Sequence, residues 1–438
     1  MNEPKVKVGI MSAPEIRFTL TGNYMLEGQP VTGQFEATLV GGKLLCDGKS
    51  RDDFAFISTG PECYFELEDV TIGVNFHWER KENQRFNGDL RLIIEGDNIT
   101  AINDVLVEDY LLSVISSEMN ATASEEFLKA HAVISRSWLL AQIEKNREIN
   151  ESDEDYEATT LTDDELVKWY DREDHANFDV CADDHCQRYQ GITRASTETV
   201  RRVIAETRGL VLTNDGRLCD ARFSKCCGGV FEEFQNCWEP RRFPYLVARA
   251  DKPDAKDFPD LTIDENAAKW ILSRPDAFCN TSDAAVLSQV LNNYDQETTD
   301  FYRWKVEYTQ DEISEIACRR SGIDFGKIVD MIPLERGTSG RIVRLKIVGT
   351  KRTMIIGKEL EIRRTLSNSH LYSSAFVVER GELDADGVPA SFTLRGAGWG
   401  HGVGLCQIGA AVMGAKGYKY DEILLHYFVG AEITRHYE

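Results

Sequence analysis

No run of about 18 apolar residues occurs in this 438-residue chain, so the sequence predicts no membrane-spanning helix. Positive charge is also short. Fifty Lys and Arg stand against 73 Asp and Glu, a net of −23. That balance argues against sequence-independent binding of nucleic acid, which needs a basic surface, and against docking on anionic lipid. The opening, MNEPKVKVGIMSAPEIRF, lacks the apolar core of a secretory signal peptide. On that reading the chain stays inside or a leader has been removed, and its compartment is left open. No internal repeat is found.

What is present is a chain long enough for two or more domains with ample core, at an ordinary 42% hydrophobic content. The 11 cysteines are an odd number, so at least one thiol has no partner within the chain. A chain of this length does not need disulfide staples. Reduced thiols with a local metal site are the first expectation, scattered disulfides the second.

Residues 1–104 form a strand-rich segment: KVKVGI, RFTLTG, GQFEATLV and DLRLIIEG alternate or run apolar between Gly and Asn/Asp breaks. Residues 105–250 are taken as the catalytic core, helical over 105–147. The acidic stretch INESDEDYEATTLTDDELVKWYDRED then reads as a solvated insertion. RVIAETRGLVLT and CDARFSKCCGGVFEEF read as strands. Residues 251–305 form an inserted, irregular segment with helical pieces at NAAKWILSR and DAAVLSQVLNNY. Residues 306–438 mix strand, helix, a hairpin at GRIVRLKIVGTKRTMIIGKELEIRRTL and a closing amphipathic helix at YDEILLHYF. The fold class is α+β, with mixed strands and short helices in two lobes around a substrate cleft.

Three constellations could carry chemistry. In EDYLLSVISSEMNATASEEFLKAHAVISRSWLLAQ, helical spacing from Leu111 puts Val114, Ile115 and Glu118 on one face. A carboxylate continuing an apolar stripe is desolvated, which suits a general acid. A helix-ending, solvated Glu fits the same spacing. Thr122 and Glu125 fit a capping box for a second helix. Its stripe is Phe127, Ala130, Ile134, Trp138 and Ala141, with Lys129 beside it. In DHANFDVCADDHCQRYQG, His175, Cys181, His185 and Cys186 offer the two imidazoles and two thiolates of a tetrahedral zinc site, although the spacing matches no common finger. Coincidence or a disulfide between Cys181 and Cys186 are the alternatives. In DARFSKCCGGVFEEFQNCW, Cys226 and Cys227 are read as small residues at a strand end before a glycine turn, in preference to metal or redox thiols.

The run GAGWGHGVGLCQIGAAVMGAKG, residues 396–417, is rich in glycine. G-x-G-x-x-G fails in every register, and the near-Walker spacing of Gly409 and Gly414 is followed by Ala415 where Lys is needed. Nucleotide binding is therefore rejected. Trp399 and His401 alternating with glycine suggest closely threaded backbone and two side chains aimed together, a ring face and a polar tip suited to a sugar. A tight loop with Trp399 in the core fits as well.

EDYLLSVISSEM and LKAHAVISRSW, with GWGHGVGLCQIGA and GYKYDEILLHYF after them, resemble the two signatures of the SpoIID/LytB family of sporulation and amidase-enhancer proteins. KVKVGI, GLVLTNDGRLCDARF and GRIVRLKIVGT are similar to further family segments. The resemblance implies a peptidoglycan lytic transglycosylase with Glu118 as the catalytic acid and Lys129 as a supporting residue. It implies structural zinc at His175, Cys181, His185 and Cys186. It places the glycine run in the cleft wall near the glutamate, with Trp399, His401, Gly402, Gln407, Phe223 and Ser224 as substrate-binding residues. The implied partners are glycan strands stripped of stem peptides and an amidase acting first, and the implied location is the cell envelope. One departure stands out: Phe223 and Ser224 occupy the family's Tyr and His positions, and Phe223 cannot donate a hydrogen bond. The alternatives are a non-catalytic wall-binding module that stimulates an amidase, and an intracellular protein that has turned the fold to another use.

Overall fold

The computed structural model describes residues 2–73, 79–120, 123–150, 158–170, 175–183, 185–193, 196–253, 258–290 and 300–438. The chain divides into two compact units. The first comprises Met1–Glu151, Glu173–Thr213 and Ile433–Glu438, and the second Ser152–Arg172 and Asn214–Glu432. The mixture of helices and strands is α+β, as the sequence predicts.

Alternation of side chains builds the large sheet of the first unit. Along Lys5–Ala13, Val6 and Val8 point inward and are fully buried, while Lys5 and Lys7 are exposed. The strand order is Val180–Cys181, Lys5–Ala13, Asn98–Leu106, Asp89–Glu95, Phe54–Ser58, Glu15–Leu26, Gln29–Val40, Lys43–Cys46 and Lys49–Arg51. Tyr64–Ile72 also joins Glu15–Leu26 and carries Arg80–Asn87 on its other side. Neighbours in the sheet are antiparallel except at one edge, where Val180–Cys181 runs parallel to Lys5–Ala13.

Helix α1 (Val107–Glu118) starts where strand Asn98–Leu106 stops, and buries Val107, Tyr110, Leu111, Val114 and Ile115. Helix α2 (Glu125–Asn150) follows. Thr122, expected to cap it, lies outside the described residues. The capping oxygen is that of Ser124, which accepts from the Phe127 N–H at 3.3 Å. The stripe expected on α2 is buried at Phe127, Ala130, Ile134 and Trp138, with Ala141 half-buried, but burial extends further, to every residue from Ala130 to Leu140. A helix enclosed on all sides must satisfy its polar side chains internally. The Ser137 hydroxyl does so, donating to the Val133 carbonyl at 2.6 Å and accepting from the Leu212 N–H at 2.8 Å. Helix α3 (Glu198–Glu206) corrects an expectation, since RVIAE is helical and not a strand. Its apolar residues Val200, Val203 and Ile204 fit a helical face, and Thr197 caps it by accepting from the Val200 N–H.

The second unit holds a five-stranded sheet in the order Thr159–Leu161, Glu165–Lys168, Thr353–Gly357, Ile342–Gly349 and Ile328–Arg336. Part of the acidic stretch read as a solvated insertion therefore belongs to a sheet. Glu165–Lys168 runs parallel to Thr353–Gly357, and Leu166 enters the core with Leu345, Ile347 and Ile356. Two apolar residues in an acidic context were enough for a strand paired on both sides, and the overall charge concealed them. A three-stranded sheet sets Ser391–Ala397 between Arg303–Thr309 and Phe376–Arg380.

Around these sheets lie α4 (Asp264–Leu272), α5 (Ala284–Val290), α6 (Gln310–Ser321), α7 (Glu359–Thr365), α8 (Gln407–Ala415) and α9 (Tyr420–Tyr427). Helices α4 and α5 match the two helical pieces expected in the inserted segment, although 291–294 of the second lie outside the described residues. Helix α6 has the capping box that its sequence spells, with Thr309 and Glu312 bonded reciprocally. Helix α9 matches YDEILLHYF, but the chain continues beyond it into strand Glu432–Arg435.

Candidate functional site

Glu118 is the last residue of α1 and is half-buried. Its Oε1 accepts the backbone N–H of Arg188 at 3.2 Å. The segment supplying that donor is held from both sides. The Gln190 N–H donates to Ser113 Oγ on α1 at 3.1 Å, and the Tyr189 hydroxyl donates to Asn103 Oδ1 at 2.6 Å. Gln187 accepts from the buried Tyr110 hydroxyl at 3.3 Å and donates to the Ser135 carbonyl of α2 at 3.4 Å. Burial, then the nearby sulfurs of Cys186 and Cys181, pushes the Tyr110 hydroxyl well above its usual range, so it stays a donor.

Immediately before this segment lie the four expected metal ligands. The ligand atoms of His175, Cys181, His185 and Cys186 all fall within 4.8 Å of one another. Cys186 Sγ is 3.4 Å from both His175 Nε2 and His185 Nδ1, and Cys181 Sγ is 3.9 Å from His185 Nδ1. Zinc bond lengths to sulfur and nitrogen give tetrahedral edges of about 3.5–3.8 Å, so the donor set fits that ion in chemistry and in spacing. The Cys186 sulfur, working against burial and helped by His175 and His185, brings the Cys181 thiol far below its ordinary value. Backbone geometry explains how so short a segment converges. The Asp179 N–H donates to the Lys7 carbonyl, and the Ala182 N–H to the Gly9 carbonyl, each at 2.9 Å. Phe178 packs against Gly9, where a Cβ would stand 2.5 Å from the ring, and His175 stacks on Phe178 with ring centres 4.6 Å apart.

Reading the signature helices as a stripe missed their central ion pair. Arg136 is fully buried and grips Glu108 with two bonds, Nε to Oε1 at 3.0 Å and Nη2 to Oε2 at 2.7 Å. Glu108 also accepts from the Gly209 N–H at 3.1 Å and from the Tyr437 hydroxyl at 2.6 Å, while Arg136 Nη1 donates to the Leu210 carbonyl at 2.9 Å. The pair ties α1 and α2 to the segment after α3 and to the C-terminal residues. Lys129 sits on α2 with its Nζ 2.7 Å from Glu206 at the end of α3.

The glycine-rich run belongs to the second unit. Gly398, Gly400, Gly402 and Gly404 all have positive φ, between 72° and 96°. The space beside them is filled. A Cβ on Gly402 would stand 2.5 Å from the Arg341 guanidinium, and one on Gly404 would stand 2.1 Å from the Arg222 carbonyl oxygen. The run is thus wrapped around buried Arg341, whose Nε donates to the Gly400 carbonyl at 3.1 Å and whose Nη1 donates to the Cys227 carbonyl at 3.2 Å. Arg341 Nη1 also reaches Ser339 Oγ, which donates to fully buried Glu232 at 2.6 Å. Nothing in the sequence pattern singled out Glu232 or Arg341.

His401 fastens the loop. Its Nδ1 accepts the Val403 N–H at 3.0 Å, so Nε2 carries the proton and donates to the Phe223 carbonyl at 2.9 Å. Burial first, then the charges of Arg222, Arg341 and Arg363, holds this imidazole well below its usual range, so the ring is neutral. Phe223 and Ser224 form a two-residue strand parallel to Leu405 and Cys406. The Ser224 hydroxyl is buried without a hydrogen-bond partner among the described residues. Half-buried Trp399 lies against Tyr372 and Phe301, at ring-centre distances of 4.5 and 4.8 Å. Gln407 is the buried first residue of α8.

The reading of Cys226 and Cys227 as mere small residues before a turn needs correction. Cys227 gathers with Asp251, Cys279 and Cys406 in a fully buried cluster whose ligand atoms lie within 4.8 Å of one another. The Cys226 thiol adjoins Cys279 and Cys406. None of the 11 cysteines is joined in a disulfide.

Residues 95–214, which hold the signature helices and their buried ion pair, match the family described as Stage II sporulation protein, SpoIID. The chain is similar to proteins of the SpoIID/LytB family. Residues 232–404 match a second family, Domain of unknown function (DUF8618). Similar proteins include the amidase enhancer of Bacillus subtilis (strain 168), 24% identical over 337 residues. That match takes in 74% of this chain but only 40% of the amidase enhancer. The stage II sporulation protein D of Bacillus amyloliquefaciens is 22% identical over 335 residues, 76% of each chain. The protein of that name from Bacillus subtilis (strain 168) is 22% identical over 334 residues, again 76% of each.

Proposed function

We propose that this protein is a peptidoglycan lytic transglycosylase that cleaves the bond between N-acetylmuramic acid and N-acetylglucosamine. The observation that carries the reading is the placement of Glu118. It ends a signature helix, with a backbone donor fixing one oxygen, and the segment that supplies the donor follows directly on the cluster of His175, Cys181, His185 and Cys186. Glu118 protonates the glycosidic oxygen as the bond breaks. The resulting carboxylate then takes the proton of the muramic acid hydroxyl that closes the anhydro ring. No water attacks, so one carboxylate suffices, unlike the paired carboxylates of glycoside hydrolases.

Lys129 supports this chemistry from α2. His175, Cys181, His185 and Cys186 would hold zinc, a structural ion because four protein ligands leave no open position. Trp399 offers a ring face to a sugar, with Phe223 as a further contact, while buried Gly402, Gln407 and Ser224 act on the sugar only through the backbone they shape. His401 acts through the backbone it fastens, since both its nitrogens are engaged. A cell-wall role accords with the names of the relatives, and a preference for peptide-free glycan implies an amidase working first. No helix among the described residues is long and apolar enough to cross a membrane.

A second reading is an amidase-stimulating wall-binding module. It draws on the name of the amidase enhancer and on Phe223, which brings no hydroxyl. Incubation with peptide-free glycan strands, read by mass spectrometry, separates the two. The transglycosylase reading expects new anhydro-muramic ends. Intact strands, together with faster peptide release by an added amidase, would favour the module.

A further inference from the structure

The described residues hold a second sulfur-rich cluster, about which neither the SpoIID reading nor the first metal site says anything. We propose that Cys227, Cys279 and Cys406, with Cys226 or Asp251 as the fourth ligand, form a second structural zinc site. Three observations carry this.

The sulfurs converge from distant parts of the chain. Cys227 Sγ lies 3.6 Å from Cys279 Sγ, and the Cys227 N–H donates to Cys406 Sγ at 3.2 Å. A sulfur–sulfur separation of 3.6 Å is far beyond a disulfide bond of about 2.05 Å. It is close to the edge of about 3.8 Å that zinc–sulfur bonds of 2.3 Å impose on a tetrahedron.

The surroundings are built for ligands carrying negative charge. Besides the donor on Cys406, the Gly229 N–H donates to Cys227 Sγ at 3.4 Å. Asp251 is fully buried, and its two oxygens are oriented by the Cys279 N–H and the Tyr427 hydroxyl, each at 3.0 Å. Glycine is required nearby, because a Cβ on Gly409 would stand 2.4 Å from the Tyr427 hydroxyl and 2.6 Å from Asp251. Several thiols and a carboxylate gathered in a dry pocket are costly without a counter-charge, and a divalent cation supplies it.

The cluster also sits where the fold has little other support. It joins the turn after a two-residue strand, the loop leading into α5 and the residue just before α8. Segments with so few ladder hydrogen bonds are the kind that a metal staple orders. The ion would pin the inserted segment carrying α5 to the glycine-rich run.

The test is the metal content of the whole chain purified without added metal or chelator. Wild type should carry two zinc ions. Cys279→Ser should carry one, and Cys181→Ser combined with Cys186→Ser should also carry one. Should Cys279→Ser fail to fold, the variant lacking Cys181 and Cys186 answers alone when produced with cobalt(II) in place of zinc. Retention of one cobalt with a thiolate-to-cobalt absorption band supports the site. Absence of both overturns it. An unchanged metal content in folded Cys279→Ser, or a Cys227–Cys279 disulfide in peptides from unreduced protein, would also overturn it.

Discussion

Glu108 and Arg136 stand 28 residues apart and meet with almost no access to water. Taking two charges out of solvent is expensive, and the geometry offsets it with a fork of two bonds plus donors from Gly209 and Tyr437. Removing one partner leaves the other charge buried and uncompensated. Glu108→Gln is therefore expected to cost roughly 3–5 kcal/mol, read as a lowered denaturant midpoint. A midpoint unchanged within error would show that the pair contributes no stability. Neither residue could be assigned this role from the sequence. Both are charged residues within helices that look amphipathic, and only the closing of the first unit reveals that their faces are inward.

At the scale of elements, the glycine run shows how backbone shape is encoded. Every second residue from Gly398 to Gly404 takes a left-handed conformation, and Trp399, His401 and Val403 between them supply the side chains that pack and fasten the loop. Strain and crowding can be separated by substitution. Gly417 has a φ of +87° but open space beside it, so Gly417→Ala should cost only the left-handed strain of about 1–2 kcal/mol. Gly404→Ala adds a collision with the Arg222 carbonyl oxygen and should lower the melting temperature considerably more. Equal effects would mean that the run is loose enough to move aside.

That the run is irregular was legible from its composition. That it encloses Arg341 was not, because the arginine is distant in sequence and its partners are backbone carbonyls. The same contrast governs the metal ligands. His175 to Cys186 span twelve residues and read as a set, whereas Cys227 and Cys406 are 179 residues apart and nothing local links them. Secondary structure failed where charge or apolar runs masked the pattern, as in strand Glu165–Lys168 and helix α3.

For the whole molecule, the family resemblance rests on the two signatures, the α+β class on the mixture of helices and strands, and the proposed activity on Glu118. The most direct test compares wild type with Glu118→Gln on peptide-free glycan strands, with circular dichroism and metal content measured on the same samples. The amide keeps an oxygen to accept the Arg188 N–H, so fold and metal should be unchanged. Loss of general acid catalysis should reduce the rate of anhydro-end formation by about a hundredfold or more. A variant that cleaves within a factor of two of wild type would contradict the assignment of Glu118 and the mechanism built on it.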